Sequence, residues 1–234
     1  MTGGPFDPGF DALPRLIPVF PLTGALLLPG GQLPLNIFEP RYLAMTRAAL
    51  ADEHRVIGMV QPRMPDFADN RGPVAVAPGD SGPEIYEVGC AGRITAFSET
   101  QDGRYVMTLT GLIRFAITEE LALKDGYRRV LADYHRFRGD LGPEDSDDGI
   151  DRERLLAALR AYFTHEGIEA NWESIEGAAN DRLVTSLSMT CPFAPPERQA
   201  LLEAQSLAER CRIMVTLMEM ALAELGDGQP DSRN

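Results

Sequence analysis

The sequence predicts an α+β fold in which a strand-rich part precedes a helical part. Up to Phe137 the chain consists mainly of short apolar runs bounded by Pro, Gly and Asp, the pattern of strands and turns. After Asp151 the apolar residues recur at intervals of three and four, the period of amphipathic helices. Between Gly139 and Asp151 lie six carboxylates and no basic residue, which indicates a solvated linker. These observations predict a flexible arm over residues 1–14, a β domain over 15–138, an acidic linker over 139–150, a helical subdomain over 151–226 and a tail over 227–234.

The strand-rich part contains one hairpin signal and one long loop. The dipeptide Asp102-Gly103 separates two long apolar segments, which predicts a hairpin. Residues 62–83 are rich in Pro, Gly and Asp and have little periodicity, which predicts a surface loop of unusual length. The predicted strands are 15–20, 25–28, 33–38, 55–61, 85–99, 104–117 and 127–134.

Helix signals occur once inside the strand-rich part and then throughout the second part. Pro40 suits the first turn of a helix that we expect to end near Ala51. Asp151 is a favourable N-cap, and Leu155, Leu159 and Tyr162 then share one face. The remaining predicted helices are 172–180, 181–190 and a single long helix from about 201 to 225.

Composition excludes several classes of protein. The net charge of −13 argues against nucleic acid and anionic membranes as partners, because phosphate contacts require clustered cations. No apolar run approaches the length of a membrane span, and the N-terminus has no secretory signal pattern, so we expect a cytoplasmic protein. Cys90, Cys191 and Cys211 are widely spaced and odd in number, which favours free thiols in a reducing compartment.

A series of apolar and proline-containing motifs runs in a fixed order through nearly the whole chain. The motifs are Phe20-Pro21-Leu22, Pro29-Gly30, Leu33-Pro34-Leu35, Ile37-Phe38-Glu39-Pro40-Arg41-Tyr42 with Met45, Ile57-Gly58, residues 88–94, Gly103-Arg104-Tyr105, Gly111-Leu112-Ile113-Arg114-Phe115, Leu183-Val184, Ser186-Leu187 and residues 199–203. In this order they resemble the N-terminal substrate-binding domain of the Lon protease family, above all the stand-alone bacterial proteins made of that domain. The resemblance implies a small twisted β-barrel of the PUA-like type followed by a C-terminal helical bundle.

No enzymatic constellation is evident. The P-loop that an ATPase needs does not occur, and Lys124 lies in a turn without the context of a Ser–Lys dyad. The segment around Ser81 resembles a serine-protease nucleophile loop but lacks its second glycine, and the three histidines are far apart. An apparent calcium loop near Gly149 has Leu155 where the bidentate Glu is required. We therefore predict no enzyme, no metal and no cofactor.

The resemblance predicts a protein- or peptide-binding module, and we expect its contacts among apolar residues. Leu33 and its neighbours can line a groove beside the loop 62–83, although most of them must also serve the core. Met214 and Met220 lie off the buried face of the last helix, and methionine suits varied apolar partners. The candidate contacts are Leu27, Leu33, Ile37, Met64, Phe67, Met214 and Met220.

Two further features have alternative interpretations. The junction Glu39-Pro40-Arg41-Tyr42 is interpreted as structural, with an ion pair or a cap at the start of the helix, rather than as a binding site. PUA-like barrels can also bind RNA, which keeps an RNA-binding module as the alternative function. The only local concentration of cations for that purpose is Arg128, Arg129, Arg136 and Arg138.

Overall fold

The computed structural model of the protein describes residues 7–63, 82–142 and 149–226, with the side chains of 224–226 left aside. Its strands all precede five of its six α-helices, which confirms the predicted α+β class. The strands are β1 (Leu16–Pro21), β2 (Gln32–Ile37), β3 (Val56–Val60), β4 (Val88–Glu99), β5 (Tyr105–Lys124) and β6 (Tyr127–Asp133). The helices are α1 (Pro40–Ala51), α2 (Arg152–Glu166), α3 (Trp172–Gly177), α4 (Asn180–Thr190), α5 (Pro195–Glu203) and α6 (Leu207–Gly226), with short 3-10 helices at Phe10–Ala12 and His135–Leu141.

The six strands form one sheet in the order β2-β5-β4-β3-β1-β6. The long strand β5 also pairs with β6, so the pairings among β5, β4, β3, β1 and β6 form a closed circuit and β2 is attached outside it. All pairs are antiparallel except β1 with β3. The circuit encloses an apolar core that includes Phe115, Ile113 and Val19, each fully buried.

Two Asp-Gly turns set the length and direction of β5. The predicted hairpin at Asp102-Gly103 is present, with Gly103 at a positive φ of 81°. The turn predicted at Lys124 is also present: it joins β5 to β6 at Asp125 and Gly126, with φ values of 50° and 81°. Positive φ at both central residues is the geometry that favours Asp-Gly, and it returns the chain directly into β6.

The prediction of a strand over residues 25–28 is wrong. This segment belongs to no strand, although Leu26, Leu27 and Leu28 are all buried. Three consecutive buried leucines lack the alternation of a half-buried strand, and here the apolar run reflects close packing against β5. A Cβ atom on Gly111 of β5 would overlap the backbone carbonyl oxygen of Leu28, so only glycine allows this approach.

Residues 7–14 are attached to the sheet, which corrects the prediction of a flexible arm for this part of 1–14. Asp7 forms an ion pair of 2.6 Å with Arg93 of β4. Leu13 is buried, and Tyr134 donates a hydrogen bond of 2.8 Å to the carbonyl oxygen of Pro14. The Gly/Pro composition of this segment therefore marks irregular backbone and not a lack of contacts.

The predicted single helix from about 201 to 225 is instead two helices. α5 ends at Glu203, and α6 begins at Leu207. Ser206 accepts a hydrogen bond of 3.1 Å from the backbone N–H of Glu209, and the Glu209 carboxylate accepts one of 2.6 Å from the N–H of Gln205. This capping arrangement starts a new helix, because it satisfies backbone donors that a continuous helix would use internally.

The predictions for the start and the buried face of α2 are confirmed. Asp151 caps α2 by accepting a hydrogen bond from the N–H of Arg154, as predicted. Leu155, Leu159 and Tyr162 are all buried on one face, also as predicted. Within the described ranges no helix is both long and apolar enough to cross a membrane.

Candidate functional site

A buried ion pair fixes the place where the sheet meets the helices. Arg114 lies in the apolar strand β5 and is 7% exposed. Its Nε donates to Oδ2 of Asp140 at 2.9 Å and its Nη2 donates to Oδ1 at 2.7 Å, which is a two-point contact. The backbone N–H of Arg114 also donates to Oδ2, at 2.9 Å. Asp140 is thus a buried structural partner and not part of a solvated linker, which corrects the interpretation of 139–150 at this end; residues 143–148 lie outside the described part.

The same guanidinium also holds the turn between α5 and α6. Nη1 of Arg114 donates to the carbonyl oxygens of Leu202 and Ala204. Arg210 of α6, which is also buried, donates through Nε to the carbonyl oxygen of Leu201 at 2.9 Å. These carbonyls belong to the last turn of α5, where no N–H of the helix is available to them. One strand, one 3-10 helix and two α-helices therefore meet around Arg114.

A cleft of about 730 Å³ opens beside this junction, and we refer to it as the sheet–helix cleft. Part of its lining is the entrance to β2, from Pro29 to Gln32, together with Thr110 of β5. Another part consists of α4 and the start of α6. Met189 of α4 lies against Gly31, where a Cβ atom would collide with its sulfur, so α4 contacts the sheet side of the cleft.

The lining of the sheet–helix cleft is polar and carries more cations than anions. Arginines come from β5, the second 3-10 helix, α4 and α6, whereas only two aspartates contribute. Arg114 and Arg210 are buried and held by protein groups, while Arg136 and Arg182 are exposed. The charged lining residues are Arg114, Arg136, Arg182, Arg210, Asp140 and Asp181.

A second surface lies at the other end of β2. Among the described residues six large apolar side chains are exposed, and two of them lie here: Phe38 at 61% and Val106 at 46%. Val106 pairs with Asn36, so by strand alternation Phe38 and Val106 face the same side of the sheet. Phe97, at 38%, pairs with Met107 and contacts the ring of Tyr105, with centroids 5.0 Å apart, so it faces the other side. We call Phe38 and Val106 the end patch.

The structure distributes the predicted apolar contact residues differently from expectation. Leu27 and Ile37 are 1% and 2% exposed, so they belong to the core, the alternative already recognised for this group, and Leu33 is half-buried. The prediction that Met214 is exposed is wrong, since it is fully buried, and its sulfur accepts a hydrogen bond of 3.8 Å from Ser188 of α4. Met220 is exposed, at 53%. The residues Met64 and Phe67, like Ser81 of the rejected protease motif, lie outside the described ranges.

Met214 is buried because α4 and α5 cover more than one face of α6. The spacing of apolar residues predicted one buried stripe along a continuous helix, with Met214 beside it. In the structure α6 packs against α2, α4 and α5, so residues on both sides of the stripe are enclosed. Only the outer side, where Met220 lies, remains exposed.

The junction at the start of α1 contains the predicted ion pair. Nη2 of Arg41 lies 2.9 Å from Oε2 of Glu39, and the guanidinium lies 4.6 Å from the ring centroid of Tyr42. Pro40 occupies the first turn, as predicted, whereas the Glu39 side chain makes no capping hydrogen bond. Tyr42 is buried against Phe20, with ring centroids 4.2 Å apart. These contacts join α1 to β1, and the structural role of the junction stays a prediction.

The described titratable groups form no recognisable catalytic or metal centre. Within these residues no group of three or more His, Cys, Asp or Glu side chains is placed to hold a metal ion. All three cysteines are buried and free. Burial raises the pKa of the Cys90 and Cys211 thiols and raises that of Cys191 to about 12. Each thiol is therefore kept protonated, which makes it a poor nucleophile.

Some arginines of the predicted basic cluster make contacts within the protein. Arg128 is buried and forms a two-point contact with Glu120, at 2.6 Å for each hydrogen bond. Arg129 donates to the carbonyl oxygen of Ala122. Arg136 and Arg138 are exposed and lie over the rings of Phe137 and Phe10 respectively. Arg128 is thus withdrawn from the predicted group of four, whereas Arg136 and Arg138 remain at the surface.

The sheet and the helices together match one known domain family. Residues 16–220 match the family model described as the ATP-dependent protease La (LON) substrate-binding domain, and the chain belongs to this family. The match confirms the resemblance noted in the sequence and spans both the sheet and the helices.

Lon proteases from several bacteria match the chain over their N-terminal part. Lon protease of Anaeromyxobacter dehalogenans is 30% identical over 216 residues, and Lon protease 2 of Myxococcus xanthus is 25% identical over 216 residues. Both alignments cover 89% of this chain, but 23% and 24% of the relatives. The chain thus spans about a quarter of the length of the proteases that it matches.

Solved structures share the fold. A Lon N-terminal domain protein from Xanthomonas campestris is similar with a TM-score of 0.51 and 22% identity, covering 92% of this chain and 99% of that one. The N-terminal domain of a Mycobacterium avium complex Lon protease has a TM-score of 0.58 and 17% identity, covering 88% and 98%. At these identities the likeness supports the fold alone.

Proposed function

We propose that this chain is a polypeptide-binding module without catalytic activity of its own. It binds exposed apolar segments of non-native proteins, or an apolar segment of one dedicated partner. The observation that carries the proposal is membership of the LON substrate-binding domain family over residues 16–220. The absence of a P-loop from the sequence, and the restriction of the protease matches to their N-terminal part, support a recognition role without ATPase or protease chemistry.

The proposed architecture has two parts. The closed circuit of five strands is what a small PUA-like β-barrel requires, and we assign it to residues 15–138. The helices of residues 151–226 form the second part, and Arg114 attaches them to the first through the carbonyl oxygens of Leu202 and Ala204. This arrangement presents the end patch and the sheet–helix cleft at opposite ends of β2.

The end patch is the proposed contact surface for apolar segments. Phe38 is the most exposed large apolar residue of the described chain, and aromatic residues provide much of the binding energy in protein interfaces. Arg104 lies 5.9 Å from the centroid of the Phe38 ring and adds a polar edge to the patch. An apolar side chain that covers Phe38 and Val106 removes from water a surface that the fold leaves uncovered.

Side-chain contacts suit this surface better than addition of a new strand. Within the described residues β2 pairs only with β5, so its other edge is the place where an extended peptide can join the sheet. Pro34 lies in the middle of β2 and has no N–H to donate. A proline in an edge strand is a common device against strand addition. We therefore assign the affinity to Phe38 and Val106.

A binding titration with matched variants tests the proposal. The ligand is a reduced, carboxymethylated polypeptide that cannot fold, with its native form as the comparison, and binding is followed by fluorescence anisotropy. We expect the unfolded form to bind, and Phe38→Ser to weaken it about tenfold, because loss of a buried aromatic contact costs more than 1 kcal/mol. Ile168→Ser, which removes another exposed apolar side chain, in the helical part, is the matched control and should leave affinity unchanged.

The same titration separates the end patch from the candidate on α6. If Met220→Ser weakens binding and Phe38→Ser does not, the contact surface lies on α6. If neither unfolded nor native polypeptide binds at concentrations up to the millimolar range, the proposed function is wrong.

A further inference from the structure

The sheet–helix cleft contrasts in charge with the protein that contains it. The whole chain has 35 acidic and 22 basic residues. The cleft is instead lined by four arginines and two aspartates, and one of those aspartates, Asp140, is neutralised by Arg114. A cation-lined cleft in an anionic protein concentrates negative groups locally, since the remaining surface repels them.

The two exposed arginines of the cleft come from different elements that line it. Arg136 belongs to the second 3-10 helix, and its guanidinium lies 4.6 Å from the centroid of the Phe137 ring. Arg182 belongs to the first turn of α4. The cleft therefore offers a ligand two guanidinium groups, each of which is suited to a two-point contact with a carboxylate.

The rest of the lining suits a peptide backbone. Thr185, Ser186 and Thr190 of α4 and Gln205 before α6 supply hydroxyl and amide groups, which bind the N–H and C=O groups of an extended chain. The volume of about 730 Å³ is within the range of sites that enclose small ligands or a few residues. Asp181 adjoins Arg182 and attracts basic groups at its own edge, but the arginines outnumber the aspartates, so the cleft as a whole favours anions.

We propose that the sheet–helix cleft binds a polypeptide segment that carries carboxylates, through Arg136 and Arg182. This site is additional to the end patch, and the inference rests on the proposed polypeptide-binding function for the nature of its ligand. A nucleic-acid phosphate offers the same charge but needs cations along an extended surface, whereas Arg128 and Arg129 are engaged internally. A peptide carboxylate needs only the two arginines of the cleft.

The two sites are arranged so that one extended chain can reach both. Gln32 at the start of β2 lines the cleft, and Phe38 follows the end of the same strand. The five residue steps of β2 span about 17 Å at the rise of a strand. A ligand with an acidic segment followed by an apolar one within that distance can occupy both sites at once.

The test uses the full chain and a short fluorescein-labelled peptide of alternating Asp and Ser, with a matched peptide in which Asn replaces every Asp. Anisotropy at low ionic strength gives both dissociation constants. We expect the Asp peptide to bind and the Asn peptide to bind at least tenfold more weakly. We expect Arg136→Gln and Arg182→Gln each to weaken the Asp peptide about two- to fivefold, as exposed ion pairs do, and the double variant to weaken it about tenfold. Salt at about 0.15 M should weaken it further.

Arg212→Gln is the matched control, because Arg212 is an exposed arginine of α6 that does not line the cleft. It should leave the affinity unchanged, and circular dichroism should show that every variant is folded. Equal binding of the Asp and Asn peptides, or equal losses for Arg182→Gln and Arg212→Gln, overturns the proposal. So does an RNA oligonucleotide that binds more tightly than the Asp peptide and displaces it.

The affinity of the Asp peptide for the sheet–helix cleft does not depend on the apolar contact at the end patch. The Asp peptide has no apolar side chains, so Phe38→Ser should not change its affinity. Failure of the unfolded polypeptide to bind, together with success of the Asp peptide, rejects the end patch and retains the cleft. The reverse result rejects the cleft and retains the proposed function.

Discussion

Replacement of Arg114 by methionine should destabilise the protein more than any surface substitution. The side chains of Arg114 and Asp140 are each 9% exposed, so the pair is largely shielded from water. Arg114→Met leaves the Asp140 carboxylate buried without its guanidinium, and it removes the donor from the carbonyls of Leu202 and Ala204. Removal of one partner from a buried pair costs about 3–5 kcal/mol.

This loss can be measured by urea unfolding and by thermal unfolding. For a chain of this size 1 kcal/mol corresponds to about 2–4 °C, so the melting temperature should fall by about 6–20 °C. The exposed pair of Arg154 and Glu219 is the control: Arg154→Met should leave the urea midpoint almost unchanged, because both side chains are about half exposed.

A double-mutant cycle shows whether the effect arises from the pair. Asp140→Asn alone leaves the Arg114 guanidinium buried without a carboxylate. The double variant Arg114→Met, Asp140→Asn buries no lone charge, so its loss should be smaller than the sum of the single losses by about 0.5–3 kcal/mol. Additive losses, or a loss of less than 1 kcal/mol for Arg114→Met, would refute the role assigned to this contact.

Three further predictions concern stability and thiol chemistry. Gly111→Ala should lower the free energy of unfolding by more than 1 kcal/mol, because its Cβ atom would overlap the Leu28 carbonyl. Gly103→Ala, with open space around it but a positive φ, is the comparison for backbone strain alone. If Gly111→Ala unfolds like the parent protein, the close approach of Leu28 to Gly111 is contradicted. Arg41→Ala should lower the free energy of unfolding by about 1 kcal/mol through loss of a partly exposed ion pair and of the contact with Tyr42, and an unchanged melting curve would contradict the structural role. Stability should decline as the pH rises from about 9 toward 12: the folded pKa of Cys191 is raised from 9.0 to about 12, so the folded state retains a proton that the unfolded state loses, and Cys191→Ala should decline less steeply over that range.

The sequence predicted the order of elements well, because local signals determine most of them. Pro40, Asp151 and the dipeptide Asp102-Gly103 act on the residues next to them, and each appears in the structure where it was predicted. The resemblance to the LON substrate-binding domain is confirmed for the same reason, since its motifs are local and ordered.

The candidate site was much harder to predict, because its parts come from distant segments. Arg114 meets Asp140, Leu202 and Ala204, and no local pattern relates residues 26, 88 or 90 positions apart. One signal was available: an arginine within the apolar run of β5 is costly unless a partner compensates it. That observation identifies Arg114 as important without identifying its partner.

The errors at α6 also have a physical cause. The three- and four-residue spacing of apolar residues continues across the boundary between α5 and α6, so periodicity alone indicates one helix. The sequence Ser206-Leu207-Ala208-Glu209 contains the capping signal that starts α6, and attention to it would have divided the helix correctly. Met214 could not be placed from a single helix, because its burial depends on Ser188 and the other residues of α4.

The central claim is that this domain recognises polypeptide in a non-native state. Isothermal titration calorimetry with one polypeptide in its unfolded and native forms tests that claim most directly. We expect saturable binding of the unfolded form, with a negative heat-capacity change from burial of apolar surface, and no binding of the native form. Equal binding of both forms, or binding of neither, would contradict it.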